Sequence, residues 1–278
     1  LNIIEILNEA TNKLSDIVEQ PRLEAQILLG HLSGLTLPKL IAFPEREVSN
    51  ATQAMLLTFI KRRAHGEPLA YLVGYKEFWS LSLQVTPATL IPRPETEHLV
   101  EWALQHLPAQ EPLQVADLGT GSGAIALALA SERPQWLLYA TDYSEKALAV
   151  ARDNAKRLQI SNIHFAQGDW CAALPKVKLD AIVSNPPYLQ PDDPHLKSLR
   201  YEPSSALTCG KAGLGAIESI ATSARHYLHP EAPLIIEHGY QQQPAVVDIL
   251  QRLQYKNITC HSDYAKLPRF VTAINTAY

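Results

Sequence analysis

The sequence predicts an α/β protein: a mostly parallel sheet with helices on both faces, preceded by a small helical N-terminal domain. Two observations carry this. From about residue 113 to 253, short apolar runs alternate with helix-length stretches, whereas the chain up to about Leu107 is helical in spacing with short loops. A third is the end of the chain, where two strand-like runs succeed each other without a helix and predict an antiparallel hairpin at one sheet edge. The expected division is 1–75 helical, 76–108 a hairpin and linker, and 109–278 the α/β domain.

Leu1 to Ala10 reads as a mildly amphipathic helix with two glutamates, unlike a basic-then-apolar leader. Pro21 suits the first turn of a helix in which Leu23, Ile27, Leu28 and Leu32 repeat at helical spacing until Gly34. Asn50–Ala64 is a second helix, with Leu56, Leu57 and Ile60 on one face, and Gly66 stops it. Between Phe78 and Val85, apolar and polar residues alternate as in a strand or hairpin. Pro87, Pro92 and Pro94 punctuate the next stretch, and a helix beginning at Glu95 runs through Val100 and Leu104.

After Pro108–Pro112 the pattern changes. Strands are expected at Leu113–Leu118, Trp136–Ala140, Ile163–Ala166, Leu179–Ser184 and Pro233–Glu237. Helices are expected at Ala124–Ala130, Ser144–Leu158, Ile217–Tyr227 and near Pro244–Leu253, and the closing hairpin at Asn257–His261 and Phe270–Ile274.

Composition narrows the function. With 46% apolar and 19% charged residues the chain can bury a substantial core, and its formal charge of −4 disfavours broad phosphate-driven nucleic-acid binding. The three cysteines, Cys171, Cys209 and Cys260, have no metal-ligand spacing and fit a reducing compartment. Neither the cysteines nor the histidines form a tight cluster, so no metal site is expected. No run approaches the roughly 18 apolar residues of a membrane span, and a cytoplasmic protein is expected.

The first α/β strand runs into Asp117-Leu118-Gly119-Thr120-Gly121-Ser122-Gly123 and then a helix. Glycines there allow a tight turn and a close approach of a cofactor to the backbone, at the carboxyl end of a parallel strand. Gly119, Gly121 and Ala124 also satisfy the dinucleotide pattern, so the loop by itself admits a nicotinamide enzyme. Asp142 ends the second strand, where a carboxylate can take both ribose hydroxyls of NAD or of adenosylmethionine, or can simply cap a helix. Asp169 and Trp170 end the third. They offer an acceptor for an adenine amino group and a flat apolar face beside the ring.

The fourth strand ends in Asn185-Pro186-Pro187-Tyr188, a far more specific signal. A planar amide or aniline-type nitrogen is a poor nucleophile because its lone pair is delocalised. The Asn185 side-chain oxygen can accept one hydrogen of such an NH2, and the Pro186 carbonyl, stiffened by Pro187, the other. Tyr188 can stack on the planar group. Fixing the nitrogen about 3–3.5 Å from a methyl donor supplies much of the rate. No ionisable base is required before attack. By contrast, Ser122 lacks the context of a hydrolase nucleophile, and His238 in Glu237-His238-Gly239 reads as structural.

With these motifs in place, the chain resembles the peptide chain release factor N5-glutamine methyltransferase family (PrmC, also called HemK). The resemblance spans essentially the whole chain: Glu67 to Gly74, Leu90 to Glu97 (LIPRPETE), the glycine loop, NPPY, Tyr201-Glu202-Pro203 and Glu237-His238-Gly239. NPPY is shared with adenine-N6 DNA methyltransferases and with a ribosomal-protein glutamine methyltransferase. The intact PRPETE run joined to a helical N-terminal domain is what separates this family.

The resemblance implies a Rossmann-like class I methyltransferase sheet and S-adenosyl-L-methionine as cofactor. It implies that Gly119, Thr120, Gly121, Ser122, Gly123, Asp142, Trp170 and Asn185 contact that cofactor. Asn185, Pro186, Pro187 and Tyr188 would hold the target glutamine of a Gly-Gly-Gln loop in class I release factors. The helical domain would dock the release factor, and a monomer without direct nucleic-acid binding or membrane contact is expected. One departure is Cys209–Leu214, where Lys211 and Ala212 replace a more acidic version. Adenine-N6 methylation and an inert adenosylmethionine-binding module are the competing readings, the first disfavoured by charge and the second by the intact NPPY.

Overall fold

The computed structural model describes residues 1–276, which divide into two compact units, Leu1–Tyr75 and the remainder from Lys76 onward. The first is helical: α1 (Ile3–Leu14), α2 (Pro21–Ser33), α3 (Leu37–Ala42), α4 (Asn50–Ala64) and α5 (Leu69–Val73). Helix α1 opens with a capping box in which the Asn2 side chain accepts the Glu5 N–H and the Glu5 carboxylate accepts the Asn2 N–H. Helix α2 begins with Pro21 and ends at Gly34 in the left-handed conformation that glycine tolerates. Ile3, Ile6, Leu7, Leu14, Leu28, Leu29, Leu56 and Ile60 form this unit's core. Leu23 and Ile27, part of the spacing that predicts α2, are exposed, because Ala25, Leu28 and Leu29 supply the buried face.

At the boundary between the units begins a hairpin with a two-residue turn, β1 (Tyr75–Phe78) and β2 (Leu81–Gln84), turning through Trp79 and Ser80 at positive φ. A 3-10 turn at Pro94–Thr96 leads into α6 (Glu97–His106), so the helix expected from Glu95 begins with one tighter turn. Then come β3 (Gln114–Leu118), α7 (Ala124–Glu132), β4 (Leu137–Asp142), α8 (Glu145–Arg157), β5 (Ile163–Gln167) and β6 (Ala181–Ser184). Beyond a single turn α9 (Gly210–Gly213) lie α10 (Gly215–Tyr227), β7 (Pro233–Glu237), α11 (Gln243–Arg252), β8 (Lys256–Ser262) and β9 (Pro268–Ile274).

Seven strands form one sheet in the order β5-β4-β3-β6-β7-β9-β8. All pairs from β5 to β7 are parallel; β9 runs antiparallel to β7, and β8 to β9. Successive residues of each strand face opposite sides. Val115 and Val183 therefore join one core with α6, α7 and the hairpin residues Phe78 and Leu83, while Ala116 and Ile182 join the other with α10 and α11. From β3 the chain winds outward through β4 and β5, then returns to lay β6 on the other side of β3 and continue to β7. The winding direction reverses between β3 and β6, and open α/β sheets bind ligands at the carboxyl ends of strands beside such a reversal.

Candidate active site

The ends of β3, β4, β5 and β6 open into one cavity of about 330 Å3, within the ~300–1,000 Å3 usual for small-molecule sites. Gly119, Gly121, Asp142, Asp169, Trp170 and Asn185 line it, together with Ala88–Leu90 and Pro203, Ser205 and Ala206.

The glycine loop is shaped by its backbone. The Gly119 and Thr120 N–H groups both donate to the Thr141 carbonyl at 2.9 Å, tying the loop to the end of β4. Gly119 has φ +75°, and a Cβ there would come within 3.0 Å of Trp170 Cζ3, so the indole lies against glycine backbone that no side chain screens. Thr120, Ser122 and Gly123 do not line the cavity. Thr120 turns its hydroxyl to Asp117 Oδ2 at 2.6 Å, the Ser122 side chain is buried, and Gly123 (φ +87°) starts α7 where a Cβ would collide with Leu127.

Asp142 is held by two backbone donors, Gly121 N–H to Oδ2 at 2.9 Å and Ser144 N–H to Oδ1 at 2.8 Å. It is not the helix cap, because Ser144 fills that position by accepting the Ala147 N–H. Burial raises the Asp142 pKa, and the two donors oppose the rise. The carboxylate keeps lone pairs for further donors from the cavity. An oriented carboxylate, a flat indole and a glycine cradle fit the ribose and adenine of an adenosyl cofactor.

A second, smaller cavity of about 130 Å3 adjoins the first. Pro186 and Tyr188 line only this one, while Asn185, Pro187, Leu90 and Ala206 line both. All four NPPY residues therefore come together, and Asn185 sits at the junction. Behind it the Asn185 Nδ2 donates to Thr96 Oγ1 at 2.9 Å, Thr96 Oγ1 donates to Glu237 Oε2 at 2.8 Å, and the Tyr188 hydroxyl donates to Glu237 Oε1 at 3.3 Å. Gln242 braces the loop further by donating from Nε2 to the Tyr188 carbonyl at 2.9 Å.

Thr96, Glu202 and Glu237 belong to motifs of the resemblance, yet the sequence alone gives none of them a role. Glu202 accepts the Ile91 N–H at 3.0 Å and the Arg93 guanidinium at 2.6 Å, which fixes the proline-rich segment at the cavity rim. The signal that could have found Glu237 is its place at the carboxyl end of a buried parallel strand. His238, its neighbour, is buried and gives its Nδ1 proton to the Gly239 carbonyl, as a structural histidine would.

Family models match both parts of the chain: the PrmC N-terminal domain model covers residues 5–74, and the Methyltransferase small domain model covers 100–199. In fold the chain is similar to a methyltransferase from Pyrococcus furiosus (TM-score 0.55, 17% identity, 82% of this chain and 100% of that one). It is likewise similar to a T. thermophilus 16S rRNA N2 G1207 methyltransferase solved with AdoMet and guanosine (TM-score 0.55, 15% identity, 72% and 49%). Sheet order, glycine loop and NPPY corner together define an S-adenosylmethionine-dependent methyltransferase of Rossmann-like architecture.

Two relatives narrow the class. The release factor glutamine methyltransferase of Coxiella burnetii is 46% identical over 98% of this chain and 99% of its own length. The Escherichia coli protein of the same name is 45% identical over 93% of each chain. The chain belongs to the release factor glutamine methyltransferase family.

Proposed function

We propose that this enzyme transfers a methyl group from S-adenosylmethionine to the side-chain amide nitrogen of the glutamine in the Gly-Gly-Gln loop of class I peptide chain release factors. The observation that carries the reading is the position of Asn185, on the wall shared by the two cavities, with its NH2 already engaged by Thr96. Its Oδ1 is then the atom left to accept a hydrogen bond from an incoming carboxamide.

When bound in the larger cavity, S-adenosylmethionine supplies a methyl group activated by a sulfonium. Asp142 would take the ribose hydroxyls, Gly119 and Gly121 would let the cofactor approach the backbone, and Trp170 would lie beside the adenine. In the smaller cavity Asn185 Oδ1 and the Pro186 carbonyl would accept the two hydrogens of the glutamine NH2, and Pro187 and the Tyr188 ring would flank its plane. Two such bonds remove the rotational freedom of the amide and favour a lone pair directed toward the methyl donor, the positioning that makes a weak nucleophile react. The nitrogen becomes strongly acidic once methylated and gives its extra proton to water, so no side-chain base is needed.

The Leu1–Tyr75 unit we assign to docking the release factor, and we expect a monomer that does not bind nucleic acid. The net charge of −4 supports the last point. Mass spectrometry of a release factor incubated with enzyme and cofactor should show a gain of about one methyl on the Gly-Gly-Gln peptide, as one-carbon transfer to nitrogen requires. No gain there, or equal methylation of adenine in duplex DNA, would sink the reading.

A further inference from the structure

The side chain of Asn185 could present either of two faces to the glutamine, and only one is useful. An oxygen facing the substrate accepts its N–H; an NH2 facing it would oppose donor to donor. What decides between them lies behind Asn185, in residues that line neither cavity.

Thr96 sits in the turn before α6, Asn185 comes directly after β6, and Glu237 ends the neighbouring strand β7, whose Ile236 is in register with Ser184. Thr96 and Glu237 are 4% and 1% exposed, so water does not complete their hydrogen bonding. An ionised carboxylate only accepts. Glu237 therefore takes the single Thr96 proton at Oε2 and the Tyr188 proton at Oε1. The Thr96 oxygen, its proton spent, must in turn accept, and it takes the Asn185 Nδ2–H at 2.9 Å. Each step fixes the polarity of the next.

We propose that Glu237 and Thr96 are positioning residues for methyl transfer: they form a one-way relay that turns the Asn185 amide oxygen toward the glutamine and holds the Tyr188 hydroxyl in place. This rests on the reading of Asn185 as the glutamine acceptor. Reversing the relay would need a donor at position 237. The Thr96 hydroxyl would then point at Asn185, which would offer its oxygen backward and its NH2 to the substrate.

The charges around Glu237 are few. Arg269 on β9 attracts its negative form, and its own guanidinium is held by Asp263 at 2.9 Å; Glu95 from the turn before α6 repels it; Tyr188 faces it from the NPPY loop; and neutral His238 is next to it in sequence. Burial raises the Glu237 carboxyl to about 7, with Thr96, Arg269 and Tyr188 opposing the rise. The relay is thus intact above that value and is reversed when Glu237 takes its proton on Oε2, the oxygen that faces Thr96.

The test compares Thr96→Val, Thr96→Ser, Glu237→Gln and Asn185→Ala in the full chain, with a purified class I release factor as substrate. Thr96→Val, which cannot accept the Asn185 NH2, should lose about 100-fold in kcat, the scale of a misplaced reacting group. Glu237→Gln, whose amide oxygen can still face Thr96, should lose less. S-adenosylmethionine affinity should stay within about twofold, since neither residue lines the larger cavity. Thr96→Ser should recover most of the rate. Wild-type kcat should fall with one-proton dependence as pH drops through about 7, and Glu237→Gln should lack that fall.

Wild-type kcat in Thr96→Val beside an inactive Asn185→Ala would overturn the relay alone. Wild-type kcat in Asn185→Ala would instead remove the reading beneath it. Should Thr96→Val not fold, the Glu237→Gln profile decides, and an unchanged pH dependence overturns the proposal.

Discussion

The Arg93 guanidinium donates to Glu202 Oε1 at 2.6 Å across 109 positions of sequence. Because Glu202 Oε2 also accepts the Ile91 N–H, one buried carboxylate holds two points of the segment that rims both cavities. Replacing it with alanine leaves a buried backbone donor without a partner, which costs about 1–3 kcal/mol. Glu202→Ala should lower stability by that amount in urea unfolding. Arg93→Ala should cost at least as much, because it leaves the Glu202 carboxylate, 2% exposed, without its counter-charge.

Asp142 gives a cleaner cofactor test. Its carboxylate is aimed by Gly121 and Ser144 N–H groups and faces the larger cavity. Hydrogen bonds to a charged group are worth about 1.5–3 kcal/mol, so Asp142→Ala should weaken S-adenosylmethionine binding by about 10- to 100-fold. Calorimetric titration reads this directly. At saturating cofactor, kcat should change much less, because the residue does not line the smaller cavity.

The loop at Cys209–Leu214 holds two opposite substitutions. Gly213 has φ +80°, and a Cβ there would run into the Tyr188 carbonyl and Gln242 Nε2. Gly213→Ala should therefore displace the NPPY backbone and lose more than the ~1–2 kcal/mol of left-handed strain alone. Ala212 is left-handed too, at φ 55°. Ala212→Gly removes that strain at some cost in unfolded-chain entropy and should raise stability by at most about 1 kcal/mol, measured by thermal melting.

Asp117 predicts a pH dependence of folding. Full burial raises its pKa to about 7, against the donors Thr120 and Ala126, with a smaller push from Asp142; its Oδ1 has no hydrogen-bond partner among the described residues. The unfolded value is near 3.9. A raised pKa means the folded state holds the proton more tightly. This contribution is full below about pH 4 and is lost as pH rises through about 7. About three pKa steps amount to roughly 4 kcal/mol at most. Asp117→Asn keeps an acceptor for Thr120 and Ala126 but cannot ionise. Urea unfolding of the variant between pH 4 and 8 should therefore show a shallower decline than wild type.

Much of the architecture was legible because its cause is local. Alternating apolar runs and amphipathic stretches arise from burial on a sheet or a helix face. They placed β3, β4, β5, β6 and β7 to within about two residues, a usual boundary error. The closing hairpin was read the same way, and the structure adds only its length, Lys256–Ser262 against Pro268–Ile274. Short pieces such as α3 and α5 escaped, since five or six residues cannot display a period. Leu23 and Ile27 show the other limit: helical spacing identifies a helix but not which of two apolar faces its neighbours bury.

The sequence by itself determined the chemistry available: a glycine loop, an acid at the next strand end, and an asparagine–proline corner suited to a planar nitrogen. Tertiary structure decided how those groups are aimed. Thr96, Asn185 and Glu237 carry no common local pattern, and they meet only because β6 and β7 lie side by side in a parallel sheet with the turn before α6 laid across their ends. Hydrogen-bond direction is a property of atoms within about 3 Å of one another, and no spacing along the chain encodes it.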